Sequence, residues 1–574
     1  MILKALYDYY NRHKDLPKPG LEYKQIGFLL VISKEGKFLR FEDCRNDKDS
    51  ARTYLVKKHV GRSSAAVANY LYDNSAYVLG YSDKESGKEQ LYFDTFKAKV
   101  EAIRKDFPDN DDLKSLSAFY EQSCEEILSA ISEDPLWEDI KKCLTKKYST
   151  FSFRIDGDEK IIAEKKELLQ NDTAASLDDE SQLCLVTGKL GIPVDLTTAT
   201  PIAGSQAMAK IVAFQVNCGY DSYGKSKCSN APISEEAEFA FSTALNAMLS
   251  KDSHNKFRVG NRTFLFWASS NSEAAEQAEE GLFDMFGIAG SDDDDPNAKI
   301  EQVRKVFNSI YTGSLKTTLD DRFYILGLAP NAARIAVVYW SETSLRDFAS
   351  MILRHFDDMA MAAHKDTKPY MGVGSMLSAV TMGGKQSDAT PNLPEAIVKS
   401  IFQGIPYPFT LFSSCIRRIR AESGEKNSVF TVRAAIIKAY LNRLKDNNNK
   451  KILTMLDKEN TNPGYLCGRL FAVLDKIQED ANHISSIRER YMNAASATPA
   501  SVFATILNLS VHHAEKLNEG SRVFYEKLKQ EIICKMPADA FPSHLDLQDQ
   551  GRFFVGYYHQ RQDFFQKKDE KNEQ

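Results

Sequence analysis

The stretch that decides the fold class is LCGRLFAVLDKI, residues 466–477. Its apolar residues recur at i, i+4, i+7, i+8 and i+11, which is the spacing of one face of an α-helix; they are Leu466, Leu470, Val473, Leu474 and Ile477. An apolar stripe of this kind needs a partner face to be buried against. The stretch therefore predicts a helix inside a bundle, and the neighbouring sequence should supply the other helices.

The residues that follow supply those partners. Val502, Ile506 and Leu509 repeat the stripe, and Pro499 suits a first helical turn. Two more helices are predicted over 523–533 and 547–565. We expect a helical region over 395–574. Within it, 455–574 should form a self-contained bundle, because about 120 residues are enough to bury a core.

The first 365 residues have a different pattern, with short apolar runs separated by turns. Helices are expected over 113–146 and over 235–249, the second capped by Ser234. The runs predict strands over 26–32, 77–81, 211–216, 263–267, 323–328 and 335–340. The predicted fold class is α+β: a mixed α/β N-terminal region, divided into 1–150 and 151–365, followed by a C-terminal helical bundle.

Two stretches interrupt these regions. Residues 273–301 hold ten acidic residues and one basic residue, a net charge of −9, and predict a solvated acidic loop. Contiguous Asp residues lack the spaced ligands of a calcium loop, so no metal site is expected there. Residues 366–394 are punctuated by Gly and Pro and predict a loop or linker.

Composition limits the class of protein. The chain has 574 residues, 43% of them hydrophobic, and a net charge of −5. No stretch approaches the roughly 20 apolar residues of a membrane helix, and the N-terminus lacks the order of a signal peptide. The nine cysteines include no C-x-x-C pair. These features predict a reduced cytoplasmic protein with no metal site, no cofactor and no membrane contact.

One string matches a phosphate-binding motif. GYDSYGKS, residues 219–226, fits G-x-x-x-x-G-K-[ST] letter for letter. Such a motif needs a helix to begin at the Lys-Ser pair, yet Cys228 to Pro232 intervene, and Asp221 would repel phosphate. An NTPase using Lys225 and Ser226 is therefore the alternative rather than the leading interpretation. The chain has no G-x-S-x-G or H-E-x-x-H motif either, so we expect no catalytic activity.

Two basic stretches predict nucleic-acid contacts instead. Residues 416–451 hold ten Lys or Arg against three acidic residues, a net charge of +7. This excess predicts a surface that tracks phosphates, with Arg417, Arg418, Arg420, Arg433 and Lys438 as its candidate residues. The second stretch joins cations to small and amide side chains that suit close approach to a DNA backbone and to base edges; its candidates are Lys57, Lys58, Arg62, Ser63, Asn69 and Asn74.

Nine strings, in order along nearly the whole chain, resemble the signature of the large subunit of the type I-C CRISPR surveillance complex, Cascade. Each string alone is weak, but together they are specific. They are MILKALYDYY (1–10), DNSAYVLG (73–80), CLVTG (184–188), SYGK (222–225) with NAPIS (230–234), LGLAPNAAR (326–334), PASVFATILNL (499–509), and DQGRF (549–553) with GYYHQR (556–561).

The resemblance implies a DNA-binding role without catalysis. Such subunits recognise the protospacer-adjacent motif in duplex DNA, help open the duplex, stabilise the R-loop and help recruit a helicase-nuclease, while guide RNA pairing reads the target. The implied partners are guide RNA-bound backbone subunits, target duplex DNA and its displaced strand, and the helicase-nuclease. A small subunit matching the C-terminal region is also implied, and Met455 is the best-placed internal start for it.

Overall fold

The computed structural model describes residues 2–47, 50–60, 62, 66–83, 87–146, 148–170, 181–214, 221–287, 296–318, 320–362, 372–423, 429, 431–444, 450–484, 486–537 and 540–565. Within them the chain has the predicted α+β fold, with a mixed region followed by a helical one. No described helix is long and apolar enough to cross a membrane.

Among the described residues the strands lie before residue 345. In chain order they are β1 (Leu21–Gln25), β2 (Phe28–Ile32), β3 (Phe38–Asp43), β4 (Thr53–Lys57), β5 (Tyr72–Asp73), β6 (Phe151–Ile155), β7 (Gln182–Leu183), β8 (Leu190–Gly191), β9 (Lys256–Val259), β10 (Arg262–Ala268), β11 (Arg322–Asn331) and β12 (Arg334–Ser344).

The helices fall into an early and a late group. The early ones are α1 (Ile2–Arg12), α2 (Ser75–Val78), α3 (Glu89–Asp106), α4 (Asp111–Glu121), α5 (Cys124–Ser132), α6 (Trp137–Lys141), α7 (Glu235–Leu249), α8 (Glu273–Gly287) and α9 (Pro296–Thr312). The late ones are α10 (Leu345–Met359), α11 (Val373–Val380), α12 (Leu393–Gln403), α13 (Phe409–Ala421), α14 (Thr431–Arg443), α15 (Pro463–Asn482), α16 (Ser486–Ala497), α17 (Pro499–Ala514), α18 (Glu519–Ile533) and α19 (Leu547–Asp563).

The chain divides into two compact units. The N-terminal unit comprises His13–Val194 and Ala231–Thr243, and the C-terminal unit comprises Met1–Arg12, Asp195–Asn230 and Ala244–Gln574. In the N-terminal unit β2 is the centre of a four-stranded sheet of order β3-β2-β6-β5, and it pairs parallel with β6 and antiparallel with β3. Every residue of β2 is buried, which explains its unbroken apolar run FLLVI. The separate antiparallel pair β1–β4 ends at Lys57.

The C-terminal unit has an antiparallel sheet of order β12-β11-β10-β9 and one continuous apolar core that extends from this sheet to α19. In its last part α15 crosses α19 at close range. A Cβ added to Gly468 would lie 2.0 Å from the carbonyl oxygen of Phe553, and one added to Gly556 would lie 2.3 Å from that of Tyr465. The two helix backbones therefore touch at positions that only glycine can occupy.

Most of the predicted elements are confirmed, and the longest periodic ones are confirmed best. The stripe 466–477 lies within α15, and α17, α18 and α19 follow at the predicted places. Strands 263–267, 323–328 and 335–340 are confirmed as parts of β10, β11 and β12. Ser234 caps α7, since its Oγ accepts from the Ala237 amide at 3.3 Å.

Four local predictions are wrong over the described residues. The run 77–81 is not a strand, because Asn74 caps it into the short helix α2. Residues 211–214 form no strand, and 215–216 lie outside the described residues. The acidic stretch is helical over α8 and again from Pro296, with 288–295 outside the described residues. In the stretch 366–394, residues 373–380 form α11 with five buried side chains, because its apolar residues pack into the core; residues 366–371 are not described.

Candidate nucleic-acid interface

The loop predicted to contact duplex DNA, residues 57–74, is built around a buried carboxylate. Asp73, at the end of β5, is 2% exposed and accepts a hydrogen bond from the Asn69 amide at 2.9 Å. The same carboxylate forms an ion pair with Arg62, whose Nε also donates to the Val67 carbonyl at 2.7 Å. The Arg62 guanidinium lies 4.0 Å from the ring centroid of Tyr77. Arg62 therefore ties the loop to β5 and α2, and its donors are largely used within the protein.

The two asparagines of this loop have different roles. Asn69 is 9% exposed, and its Oδ1 accepts from the Val60 amide at 2.9 Å, so it shapes the loop from inside. Asn74 is exposed and is the N-cap of α2. Its Oδ1 accepts from the amides of Ala76 at 3.1 Å and Tyr77 at 3.3 Å. Capping fixes the side chain through its oxygen, which leaves the NH₂ group at the surface to donate to a base-edge acceptor.

The cations beside this loop lie over aromatic rings. Lys57 Nζ is 4.3 Å from the ring centroid of Tyr70, and Lys58 Nζ is 5.6 Å from that of Phe239. Both lysines are half-buried. Long side chains that lie along apolar rings keep their ammonium groups near water, so both can still contribute charge at the surface. Ser63 lies outside the described residues.

Glu22 holds the start of the loop. It accepts from the His59 ring at 2.8 Å and from the Tyr72 hydroxyl at 3.0 Å. Burial raises the pKa of Glu22, but the bonds from His59 and Tyr72, together with the charge of Lys24, outweigh it and leave the pKa below its ordinary value. The carboxylate is thus ionised at neutral pH and connects β1 to the segment that follows β4.

Two of the five residues predicted for the second surface, on the basic stretch 416–451, are buried. Arg433 is 3% exposed and Lys438 is 2% exposed. Arg433 Nε donates to the Ala379 carbonyl at 2.8 Å, and Lys438 Nζ donates to the Asp357 carbonyl at 3.1 Å. Burial lowers the pKa of Lys438 to about 8, against the nearby charges of Asp358 and Asp357. This arrangement does not present either side chain to a DNA strand.

The three arginines of α13 are arranged differently. Arg417 is exposed, with its guanidinium 2.9 Å from the Ser414 hydroxyl. Arg418 pairs with Glu422, and Arg420 donates to the Gln550 side chain at 2.8 Å. Of the five predicted strand-binding residues, Arg417 is therefore the one that the structure places at the surface.

The string GYDSYGKS matches a phosphate-binding motif in sequence. Over its described part, residues 221–226, it does not have the geometry of a nucleotide-binding loop. Lys225 and Ser226 do not start an α-helix, because residues Lys227–Asn230 form a 3₁₀ turn and α7 begins only at Glu235. Tyr223 adopts a left-handed conformation with φ of 60° and is 98% exposed. Gly219 and Tyr220 lie outside the described residues. The observed backbone does not aim a helix N-terminus at a phosphate.

No metal centre is evident within the described ranges, where no group of three or more His, Cys, Asp or Glu side chains is placed to hold an ion. A groove between α9 and α10, lined by three cations and two carboxylates, was not predicted from the sequence. Its α9 side carries Arg304, Asn308 and Tyr311. Their spacing of i, i+4 and i+7 places them on one helix face, and this spacing is the feature of the sequence that could have indicated the groove.

One protein family matches nearly the whole chain. No curated protein matches the chain. The model of the family described as "CRISPR-associated protein (Cas_Csd1)" matches residues 6–565, which is nearly the whole chain. The match includes both units, the loop around Asn74 and the helices α15 to α19. The chain therefore belongs to the Cas_Csd1 family of CRISPR-associated proteins.

Proposed function

We propose that the chain is the large subunit of a type I-C Cascade complex in the cytoplasm. The observation that carries the proposal is the family match over residues 6–565, and the nine signature strings along the sequence support the subtype. In this role the chain recognises the protospacer-adjacent motif, helps open the duplex and stabilises the R-loop. It then helps to recruit the helicase-nuclease. It acts by binding, without catalysing a reaction.

The N-terminal unit is the best candidate for reading the flanking motif. Asn74 combines exposure with a side chain that is held in place by two backbone amides. A fixed amide donor loses less rotamer entropy on contact with a base edge than a flexible one does, and an amide donor can tell base edges apart by the acceptors that they present. Lys57 and Lys58 lie on the same segment and would supply sequence-independent attraction to phosphates.

The test uses the assembled complex and duplex targets in which the flanking bases are randomised. Asn74→Ser should relax the preference for flanking sequence, because serine keeps a cap for α2 but cannot extend an amide donor. Lys58→Ala should weaken every duplex about equally and reduce the salt dependence of binding. If Asn74→Ser and the unmodified complex select the same flanking bases with the same ratios, Asn74 does not read the motif. If the unmodified complex selects none, the proposed function fails.

The remaining partners follow from the same proposal. The chain would bind guide RNA-carrying backbone subunits, both strands of the target, and a small subunit that matches its own segment 455–574. In the full chain this segment packs through α19 against α13 and α14, where a Cβ on Gly551 would lie 2.8 Å from Phe412 of α13 and 3.0 Å from Ile437 of α14. The self-contained bundle stays a prediction, with Met455 as its proposed start.

A further inference from the structure

A groove separates the outer faces of α9 and α10 in the C-terminal unit. It encloses about 710 Å³, which lies within the range of roughly 300–1,000 Å³ typical of ligand pockets. From α9 it is lined by Arg304, Lys305, Asn308 and Tyr311, and from α10 chiefly by Arg354 and Asp357. The groove is thus open, polar and formed by two regular helices of one unit.

Cations are spread along the groove. Arg304 forms an ion pair with Asp357 at 2.6 Å, which neutralises that carboxylate. Lys305 and Arg354 are both exposed, on opposite helices, and Glu301 is the remaining acidic residue of the lining. Apart from the Arg304–Asp357 pair, the lining therefore has two cations, Lys305 and Arg354, and one carboxylate, Glu301. Such a surface attracts an anion that is long enough to touch both helices.

An aromatic ring lies at one end of the same groove. Tyr311 is 45% exposed. Its backbone carbonyl accepts from Arg346 Nε at 3.2 Å, and the Arg346 guanidinium is 5.8 Å from its ring centroid. Arg346 thereby adds a third cation beside the ring. An exposed ring next to cations is an arrangement on which a nucleobase can stack while its phosphate meets a guanidinium or ammonium group.

We propose that the α9–α10 groove binds single-stranded nucleic acid, with Lys305 and Arg354 on phosphates and Tyr311 stacked on a base. The proposal rests on the proposed function for the source of the strand, which is either the displaced DNA strand or the guide RNA. The shared chemistry is a flexible polyanion with exposed bases. The groove replaces the interior residues Arg433 and Lys438 as the candidate path for a single strand.

The experiment measures fluorescence anisotropy of the full chain with a labelled mixed-sequence oligonucleotide of about 20 nucleotides, supplied once as DNA and once as RNA. Salt is varied in each titration. The test variant Lys305→Ala/Arg354→Ala should lower the slope of log Kd against log salt by about 1.4, since each phosphate contact on a single strand contributes about 0.7. The matched control, Lys385→Ala/Lys399→Ala, removes two exposed charges elsewhere in the same unit and should leave the slope near its original value.

A second variant separates stacking from charge. Tyr311→Ala should weaken binding about tenfold at every salt concentration without changing the slope, and Tyr311→Phe should restore it, because stacking needs the ring and not the hydroxyl. Tighter binding of the DNA probe would assign the groove to the displaced strand, and tighter binding of the RNA probe would assign it to the guide.

Three outcomes would overturn the proposal. In the first, Lys305→Ala/Arg354→Ala and its control have equal slopes of log Kd against log salt. In the second, the unmodified chain binds neither probe. In the third, the groove variants lose a protein partner but bind both probes normally. None of these outcomes bears on the flanking-base selection of the assembled complex, which tests the proposed function separately.

Discussion

Replacing Arg433 with alanine should destabilise the C-terminal unit rather than only weaken nucleic-acid binding. The guanidinium is 3% exposed. It donates to the Ala379 carbonyl at 2.8 Å and to Glu422 at 2.5 Å, and Glu422 also pairs with Arg418. Burial raises the pKa of Glu422, but its bonds with Arg433 and Arg418 outweigh burial and leave the pKa lowered. The pairing therefore more than offsets the desolvation of the carboxylate.

The size of the effect follows from these contacts. Removing one partner of a buried pair costs about 3–5 kcal/mol, because it leaves an uncompensated polar group inside. Glu422 keeps Arg418, so the lower end, about 3 kcal/mol, is expected. The matched control is Arg417→Ala. Arg417 lies on the exposed side of α13, and an exposed polar contact is worth about 0–1 kcal/mol.

The assay is urea unfolding followed by far-ultraviolet circular dichroism, with binding of a single-stranded oligonucleotide measured on the same samples. Arg433→Ala should lower the urea midpoint clearly, and Arg417→Ala should leave it almost unchanged. A two-unit chain need not unfold in one step, so the midpoint of the main transition is compared rather than an extrapolated free energy. An Arg433→Ala protein with the original midpoint and weakened strand binding would refute the interior role and restore the surface interpretation.

Two further predictions concern the helices near the C-terminus. Burial, followed by the charge of Lys438, lowers the pKa of His559 to about 3, and its Nδ1 contacts the Tyr465 hydroxyl at 2.8 Å. Between about pH 6.5, the ordinary pKa of histidine, and about pH 3, His559 is protonated in the unfolded chain but not in the folded one. Stability should therefore fall as the pH drops through this window. His559→Gln should flatten this part of the stability profile; parallel profiles would contradict it. Residues 455–574 expressed alone should give a soluble, cooperatively melting helical protein, whereas an unfolded product would show that α19 needs its contact with α14.

The fold was predictable where the pattern was long and periodic. The stripe in α15 spans three turns, and any other backbone conformation would scatter its apolar residues. The prediction failed at 77–81, where five residues are too few to separate a strand from a helix and the Asn74 cap decides the outcome. The role of Asp73 as the partner of Arg62 was not predicted, because it depends on the meeting of β5 with the preceding loop. No local pattern contains that contact.

The cations of α14 lie in the interior for a reason that the sequence does contain. In α14 the cations stand at 433, 438 and 443, a spacing of five. At about 100° per residue, successive cations are about 140° apart around the axis, so they cannot form one basic face. Each instead meets an acceptor outside α14: Arg433 meets Glu422, and Arg443 meets Asp358 at 2.5 Å. On α9, by contrast, Arg304, Asn308 and Tyr311 share one face at the rim of an open groove. Net charge along a stretch of sequence therefore does not by itself place the cations of a helix on one surface.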